Sequence, residues 1–242
     1  MNKTKIQWSE KVWNPITGCT KIASGCKNCY AESIAKRFWK DRKFSDIVYH
    51  RNRLAEPSKK RKPSIIFVNS MSDLFHENVS ITMLYEIFLE MLKYKIHEYI
   101  ILTKRAKKMY NYLLYANLQN NLNHIWFGVS ISNQKDADEL IPILLECPVN
   151  NKFISIEPML EKINISRYLP KLKWVIVGAE SGAKKRYCDM DWIDEIVINC
   201  SKSKVPVFVK QIHLNNKLVK DIQNFPAHLQ VQEYPKNLIE RR

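Results

Sequence analysis

Short apolar runs, rich in β-branched and aromatic residues and each ending in small or polar ones, recur along this chain and leave few folds open. They are SIIFVNS (64–70), EYIILTK (98–104), HIWFGVS (124–130), KFISIEP (152–158), KWVIVGAES (173–181) and VPVFVKQ (205–211), with KVWNPITGC (11–19) as a shorter first member. Apolar residues at consecutive positions suit a strand covered on both faces, the usual condition of a strand in parallel sheet. Between the runs, residues 31–40, 81–94, 107–118, 134–146 and 191–201 space apolar side chains three or four apart, as amphipathic helices do. This βα alternation repeats six or seven times in 242 residues, with no Pro/Gly-rich linker, low-complexity tract or internal repeat. It predicts a single domain over 1–242, built either as a (β/α) barrel, complete or partial, or as a doubly wound sheet.

In both architectures function sits at the carboxyl ends of the strands. The polar residues gather there: Asn69, Ser70, Ser72, Asp73 and His76; Thr103, Lys104 and Arg105; Ser130, Ser132 and Asn133; Glu157; Glu180 and Ser181; Lys210 and Gln211. A carboxylate that ends an apolar strand is costly unless it is paired or binds something. Glu157 and Glu180 are therefore expected in a site, together with Lys210. His76, next to Phe75, suits either proton transfer or a hydrogen-bonded structural role.

The first run opens into TGCTKIASGCKNCYA (17–31), which gathers Cys19, Cys26 and Cys29 between two glycines and the start of a helical stretch. Three thiols do not complete a disulfide framework or a four-ligand zinc site. No second C-x2-C and no H-x3-5-H occurs, so zinc would need a distant histidine as its fourth ligand. Alternatively, three thiolates can hold three irons of a [4Fe–4S] cluster and leave the fourth iron open, with Gly18 and Gly25 letting the backbone turn close to it. Both metal readings stand at this point. Buried thiols without a metal fit poorly among the surrounding Gly, Lys, Asn and Ser. Cys147 and Cys200 end helical stretches and read as small buried hydrophobes, whereas Cys188, after KKRY, could face the site.

Lys and Arg number 39 against 24 Asp and Glu, a formal charge of +15 that favours polyanionic partners, although a Lys-, Asn- and Ile-rich composition supplies part of it. The runs KRAKK (104–108) and KKR (184–186) follow strand ends and so fall on the site's face, while KKRK (59–62) precedes a strand and belongs to the opposite rim. With no apolar leader segment, no apolar span of about 18 residues and scattered cysteines, the sequence reads as a soluble, cytoplasmic protein with reduced thiols.

Over almost its whole length the chain resembles the three-Cys-motif proteins of phages and bacteria, a family of unknown function that is similar to radical-SAM enzymes. The resemblance is carried by IQWSEKVWNPITGCTKIASGCKNCYAE (6–32), SMSDLFHENV (70–79), LTKRA (102–106), FGVSISN (127–133), SIEPML (155–160), VIVGAESGAKKR (175–186), DW (191–192) and VPVFVKQ (205–211). It implies a partial (β/α) TIM-type barrel with a [4Fe–4S] cluster on Cys19, Cys26 and Cys29. S-adenosylmethionine would chelate the open iron and, with an external electron donor, be cleaved to a 5′-deoxyadenosyl radical. Tyr30 would pack on adenine, and Ser70, Ser72 and Asp73 would grip the methionine amino group, unless Asp73 caps a helix. Lys104 or Arg105 would pair with the methionine carboxylate, and Ser130 and Ser132 would hold ribose hydroxyls. Glu157, Glu180 and Lys210 would serve as catalytic residues. The best-known radical-SAM spacing is C-x3-C-x2-C with an aromatic before the last cysteine; here the first gap is longer and Asn28 takes the aromatic's place. With the basic strand-end runs, the expectation is a radical-SAM-type enzyme acting on a nucleic acid or nucleotide, in base modification or repair. The alternative is a zinc- or cluster-stabilised nucleic-acid-binding protein without radical chemistry.

Overall fold

The computed structural model of the protein describes residues 1–116, 122–182, 184–215 and 217–239. Its strands are β1 (Asn2–Lys3), β2 (Lys11–Trp13), β3 (Ile16–Thr17), β4 (Val48–Tyr49), β5 (Ile65–Val68), β6 (Glu98–Thr103), β7 (Ile125–Ile131), β8 (Lys152–Ile156), β9 (Trp174–Gly178), β10 (Val207–Leu214) and β11 (Lys217–Val219). Nine of them form one sheet in the order β1-β2-β5-β6-β7-β8-β9-β10-β11, while β3 and β4 pair separately. From β2 to β10 the large sheet is parallel throughout, and only the edge strands β1 and β11 run antiparallel. Every parallel strand lies beside its predecessor. A doubly wound sheet requires the order to reverse at a switch point, so that alternative falls. Among the described residues no ladder joins β1 to β11; the two edges meet through Gln7, whose Nε2 donates to Lys220 O (2.8 Å) and whose carbonyl accepts from Tyr234 Oη (3.1 Å).

The helices are α1 (Tyr30–Phe38), α2 (Ile81–Lys93), α3 (Ala106–Ala116), α4 (Gln134–Glu146), α5 (Met190–Lys202) and the short α6 (Lys236–Ile239). The first five match the expected helical stretches, except that the last residues of the 107–118 stretch lie outside the described residues. Ser80 and Asn133 accept from backbone amides three residues on and so start α2 and α4. Between β8 and β9 the crossover carries only a 3-10 turn at Leu169–Lys171.

Period-two alternation sends each strand's residues to two separate cores. Ile66, Tyr99, Phe127, Ile154, Val175 and Val209 face the helices, whereas Phe67, Ile100, Trp126, Phe153, Trp174 and Phe208 form a second cluster with Trp8 on the sheet's other, inner face. Trp126 meets Trp174 edge-on at 6.3 Å, and Trp8 meets Phe67 edge-on at 4.7 Å, so aromatic bulk occupies the interior toward the strands' amino ends. Farther along the strands the interior positions become small or polar, as at Ser130, Ser155, Gly178 and Lys210. That change of residue type leaves room at the carboxyl ends. The expected first strand, 11–19, is broken after Trp13: the chain turns to pair β3 with β4, and Gly18, at φ +99°, packs so closely that a Cβ there would lie 2.1 Å from Asp46 O. Gly18 N donates to Met71 O (2.9 Å) and Cys19 N to Phe44 O (2.8 Å), which carries the cysteine loop over the strand ends.

Candidate functional site

A cavity of about 220 Å³ opens at the carboxyl ends of the parallel strands. Cys19, Cys26 and Cys29 share its wall with Tyr30, Ser70, Ser72, Asp73, Lys104, Arg105, Ser130, Glu157, Glu180 and Lys210. Its apolar floor is Ile6, Trp8, Phe67 and Leu102. Of the strand-end residues expected there, Ser132, His76 and Asn133 do not line this cavity. Ser132 was expected to hold a ribose hydroxyl. It is fully buried behind Gly25, its Oγ has no hydrogen-bond partner, and a Cβ on Gly25 would come within 2.1 Å of that oxygen. The cysteine loop therefore rests directly on the end of β7.

Cys19 is held by a network centred on Arg105. The guanidinium Nε donates to both Glu77 oxygens (2.8 and 2.9 Å), Nη1 donates to Asp73 Oδ2 (3.1 Å) and lies 3.8 Å from the Cys19 sulfur, and Nη2 donates to Thr20 O and Oγ1 (3.3 and 3.0 Å). Asp73 also accepts from Thr103 Oγ1 (2.6 Å), Lys104 N (3.1 Å) and Phe75 N (3.0 Å), so it neither caps a helix nor keeps a free oxygen. Burial, with the Asp73 charge, pushes the Cys19 thiol up to about 11 against the opposing pull of Arg105. Burial likewise raises Cys29. His76 is a structural partner here: its Nε2 bonds Thr20 Oγ1 (2.8 Å) and its Nδ1 accepts from Asn78 N (3.1 Å).

Lys104 reaches the cavity beside Gly25, and its Nζ donates to Ser130 Oγ (2.7 Å) and Ser130 O (3.3 Å). Burial lowers its pKa below the ordinary lysine value, against the raising effect of Cys26 and nearby carboxylates. Tyr30, 42% exposed, donates its hydroxyl to Ser70 O (2.6 Å) and places its ring at the cavity mouth next to Cys29. Ser70 and Ser72 hydroxyls are engaged with Asn14 Oδ1 (3.2 Å) and Gly18 O (2.6 Å), which makes both of them supports of the loop. Glu157 forms an ion pair with Lys210 (2.6 Å) and accepts from Ser155 Oγ (3.1 Å). Glu180 binds Arg186, the last residue of the KKR run, and Asn28, which precedes Cys29; the sequence did not show that either pairs with Glu180. Cys147, Cys188 and Cys200 are buried away from the cavity, and Cys188 N donates to His213 Nδ1 (3.0 Å).

Among the described residues, no three His, Cys, Asp or Glu side chains converge on a single metal ion, and no histidine lines the cavity. Three thiols set around one cavity, with Lys104 and Arg105 beside them, suit a larger anionic group bound at its corners.

Residues 3–230 match the family described as a protein of unknown function, DUF5131. The chain belongs to that family. No curated protein matches this DUF5131 member. Among solved structures, a cysteine-to-serine mutant of spore photoproduct lyase is similar at a TM-score of 0.49 and 12% identity, covering 84% of this chain and 64% of that one. The same lyase complexed with dinucleoside spore photoproduct gives 0.46 and 12%, covering 74% and 58%. A doubly substituted mutant with bound AdoMet and dinucleoside spore photoproduct gives 0.48 and 11%, covering 84% and 64%. The DUF5131 chain thus spans less than two thirds of the lyase chains it matches. No helix among its described residues is long and apolar enough to cross a membrane.

Proposed function

We propose that this DUF5131 protein is a radical-SAM-type enzyme acting on a nucleic acid or nucleotide, in base modification or repair, with residues 1–242 forming one partial (β/α) TIM-type barrel domain. The observation that carries the reading is that Cys19, Cys26 and Cys29 share one cavity wall at the strand ends with Lys104, Arg105 and Lys210. When bound there, a [4Fe–4S] cluster with S-adenosylmethionine supplies one-electron cleavage of the latter and a radical able to abstract hydrogen. Cys19, Cys26 and Cys29 would hold the cluster as thiolates, and binding would displace the protons that burial keeps on Cys19 and Cys29. Lys104, poised on Ser130, would balance the negative charge and orient a carboxylate, while Arg105 stays committed to Cys19 and its acidic partners. Tyr30 offers a ring face to an adenine, and Ser130 a hydroxyl to a ribose. The floor of Trp8, Phe67 and Leu102 excludes water from the interior. Glu157 and Lys210, across the cavity, can hold or move a proton at a substrate. An external electron donor and the reducing cytoplasm complete the proposal.

The test begins with anaerobic purification. The expected result is brown protein containing iron and acid-labile sulfide, which after reconstitution releases 5′-deoxyadenosine from S-adenosylmethionine in the presence of a reductant. Cys19→Ala, Cys26→Ala and Cys29→Ala should each lose iron, while Cys147→Ala and Cys200→Ala, at buried positions, should keep it. Colourless protein with stoichiometric zinc, or equal iron in all five variants, overturns the assignment.

A further inference from the structure

We infer that Glu180 and Arg186 form a clamp that sets the C-x2-C half of the cysteine loop, independently of the Arg105 network that sets Cys19. Asn28, which separates Cys26 from Cys29, donates through Nδ2 to Glu180 Oε2 (2.9 Å) and to Lys184 O (2.7 Å). Arg186 donates to the same carboxylate through its backbone N (2.8 Å), Nε (2.9 Å) and Nη2 (2.5 Å), and through Nη1 to Ser24 O (3.1 Å). The clamp therefore reaches the loop at Ser24 and at Asn28, one on each side of Cys26 and the second immediately before Cys29. On the other side Gly25 is pressed against Ser132 at the end of β7, so the loop is held between the ends of β7 and β9.

The loop needs such fixing. The 3-10 turn Ser24–Cys26 buries none of its residues fully, so polar contacts carry much of its ordering. Glu180 is only 4% exposed, and both of its oxygens are engaged by loop and clamp residues, which makes it a positioning residue. The same contacts give the amide before Cys29 a role that a phenyl ring, without a donor, could not fill: Asn28 Nδ2 reaches the carboxylate and the Lys184 carbonyl together. The inference deepens the cluster reading and rests on it for its purpose, but its test does not use the cluster.

Metal-free protein is pulsed with N-ethylmaleimide and labelling is quantified at each cysteine by peptide mass spectrometry. In Asn28→Ala and in Glu180→Gln, Cys26 and Cys29 should label roughly ten- to a hundredfold faster than in wild type, as loss of hydrogen bonds to a buried charge predicts. Cys19 should keep its wild-type rate. Cys147, Cys188 and Cys200, at 2%, 0% and 0% exposure, report global unfolding. If Glu180→Gln exposes those three, the exposed-side variant Asn28→Ala decides. Unchanged rates at Cys26 and Cys29, or equal acceleration at Cys19, overturn the clamp even if wild type binds iron. Conversely, wild type that never binds iron removes the cluster reading and leaves the labelling result to judge the clamp alone.

Discussion

Lys104 or Arg105 was expected to pair with the methionine carboxylate of S-adenosylmethionine, yet the Arg105 guanidinium is surrounded by Asp73, Glu77, Thr20 and the Cys19 sulfur. The Arg105 and Asp73 side chains are 5% and 9% exposed, so removing the cation leaves a buried carboxylate without counter-charge. Arg105→Met should lower stability by ~3–5 kcal/mol, seen as a lower midpoint in chemical denaturation. Glu180 makes a pH-dependent contribution. Burial opposes its ionisation, but the hydrogen bonds from Arg186 and Asn28 outweigh that and hold its carboxyl below the usual 4.5. A carboxyl lowered in the folded state contributes stability that is fully present above its unfolded value and is lost as pH falls through its folded one. Between pH 7 and pH 3, wild type should therefore lose stability more steeply than Glu180→Gln, the difference opening below about pH 4.5. Parallel denaturation curves over that range would remove the carboxylate from the clamp.

At the scale of elements, the strand runs reveal both of their faces but not which neighbours share the interior. Gly128 of β7 shows the difference: a Cβ there would lie 2.4 Å from the ring of Phe153 on β8, and both positions are fully enclosed. Gly128→Ala should destabilise by ~1–3 kcal/mol through overpacking, and adding Phe153→Leu should restore part of it, as measured by thermal and denaturant midpoints. The helical stretches were legible because their apolar spacing is local. No helical stretch was read between β8 and β9, and there Ile163, Ile165 and Leu169 reach the core from irregular backbone and a 3-10 turn. Lys108 reads as a free basic residue in KRAKK, yet its Nζ donates to the carbonyls of His76, Glu77 and Val79 and closes the turn before α2. It is therefore a poor candidate for phosphate.

For the whole molecule, the parallel run from β2 to β10 puts those strands' carboxyl ends on one rim, so the basic residues that follow β6 and β9 share a face with the cavity. Lys107 and Lys184 are exposed and Lys185 half-buried there, whereas Lys59, Lys60 and Lys62 precede β5 at the opposite rim. Changing Lys107, Lys184 and Lys185 to Gln should weaken DNA or RNA binding and flatten its salt dependence by about 0.7–0.9 of a slope unit per lost phosphate contact. The same change at Lys59, Lys60 and Lys62 should do much less. Equal losses from both sets would mean that the +15 charge acts diffusely.

The sequence alone determined the α/β alternation, the helix positions, the strand ends as the polar rim and the three grouped thiols, because each is a local pattern of residue type and spacing. Tertiary structure decided what depends on residues far apart in the chain. It decided that the strands follow one another in order without a switch point, that Arg105 and Asp73 serve Cys19, and that Glu180, about 150 residues from Asn28, holds the loop between two cysteines. A carboxylate ending an apolar strand announces that it has a partner, because burying its charge alone is too costly. Which partner it has is set only when the loops after β2 and β9 meet above the sheet.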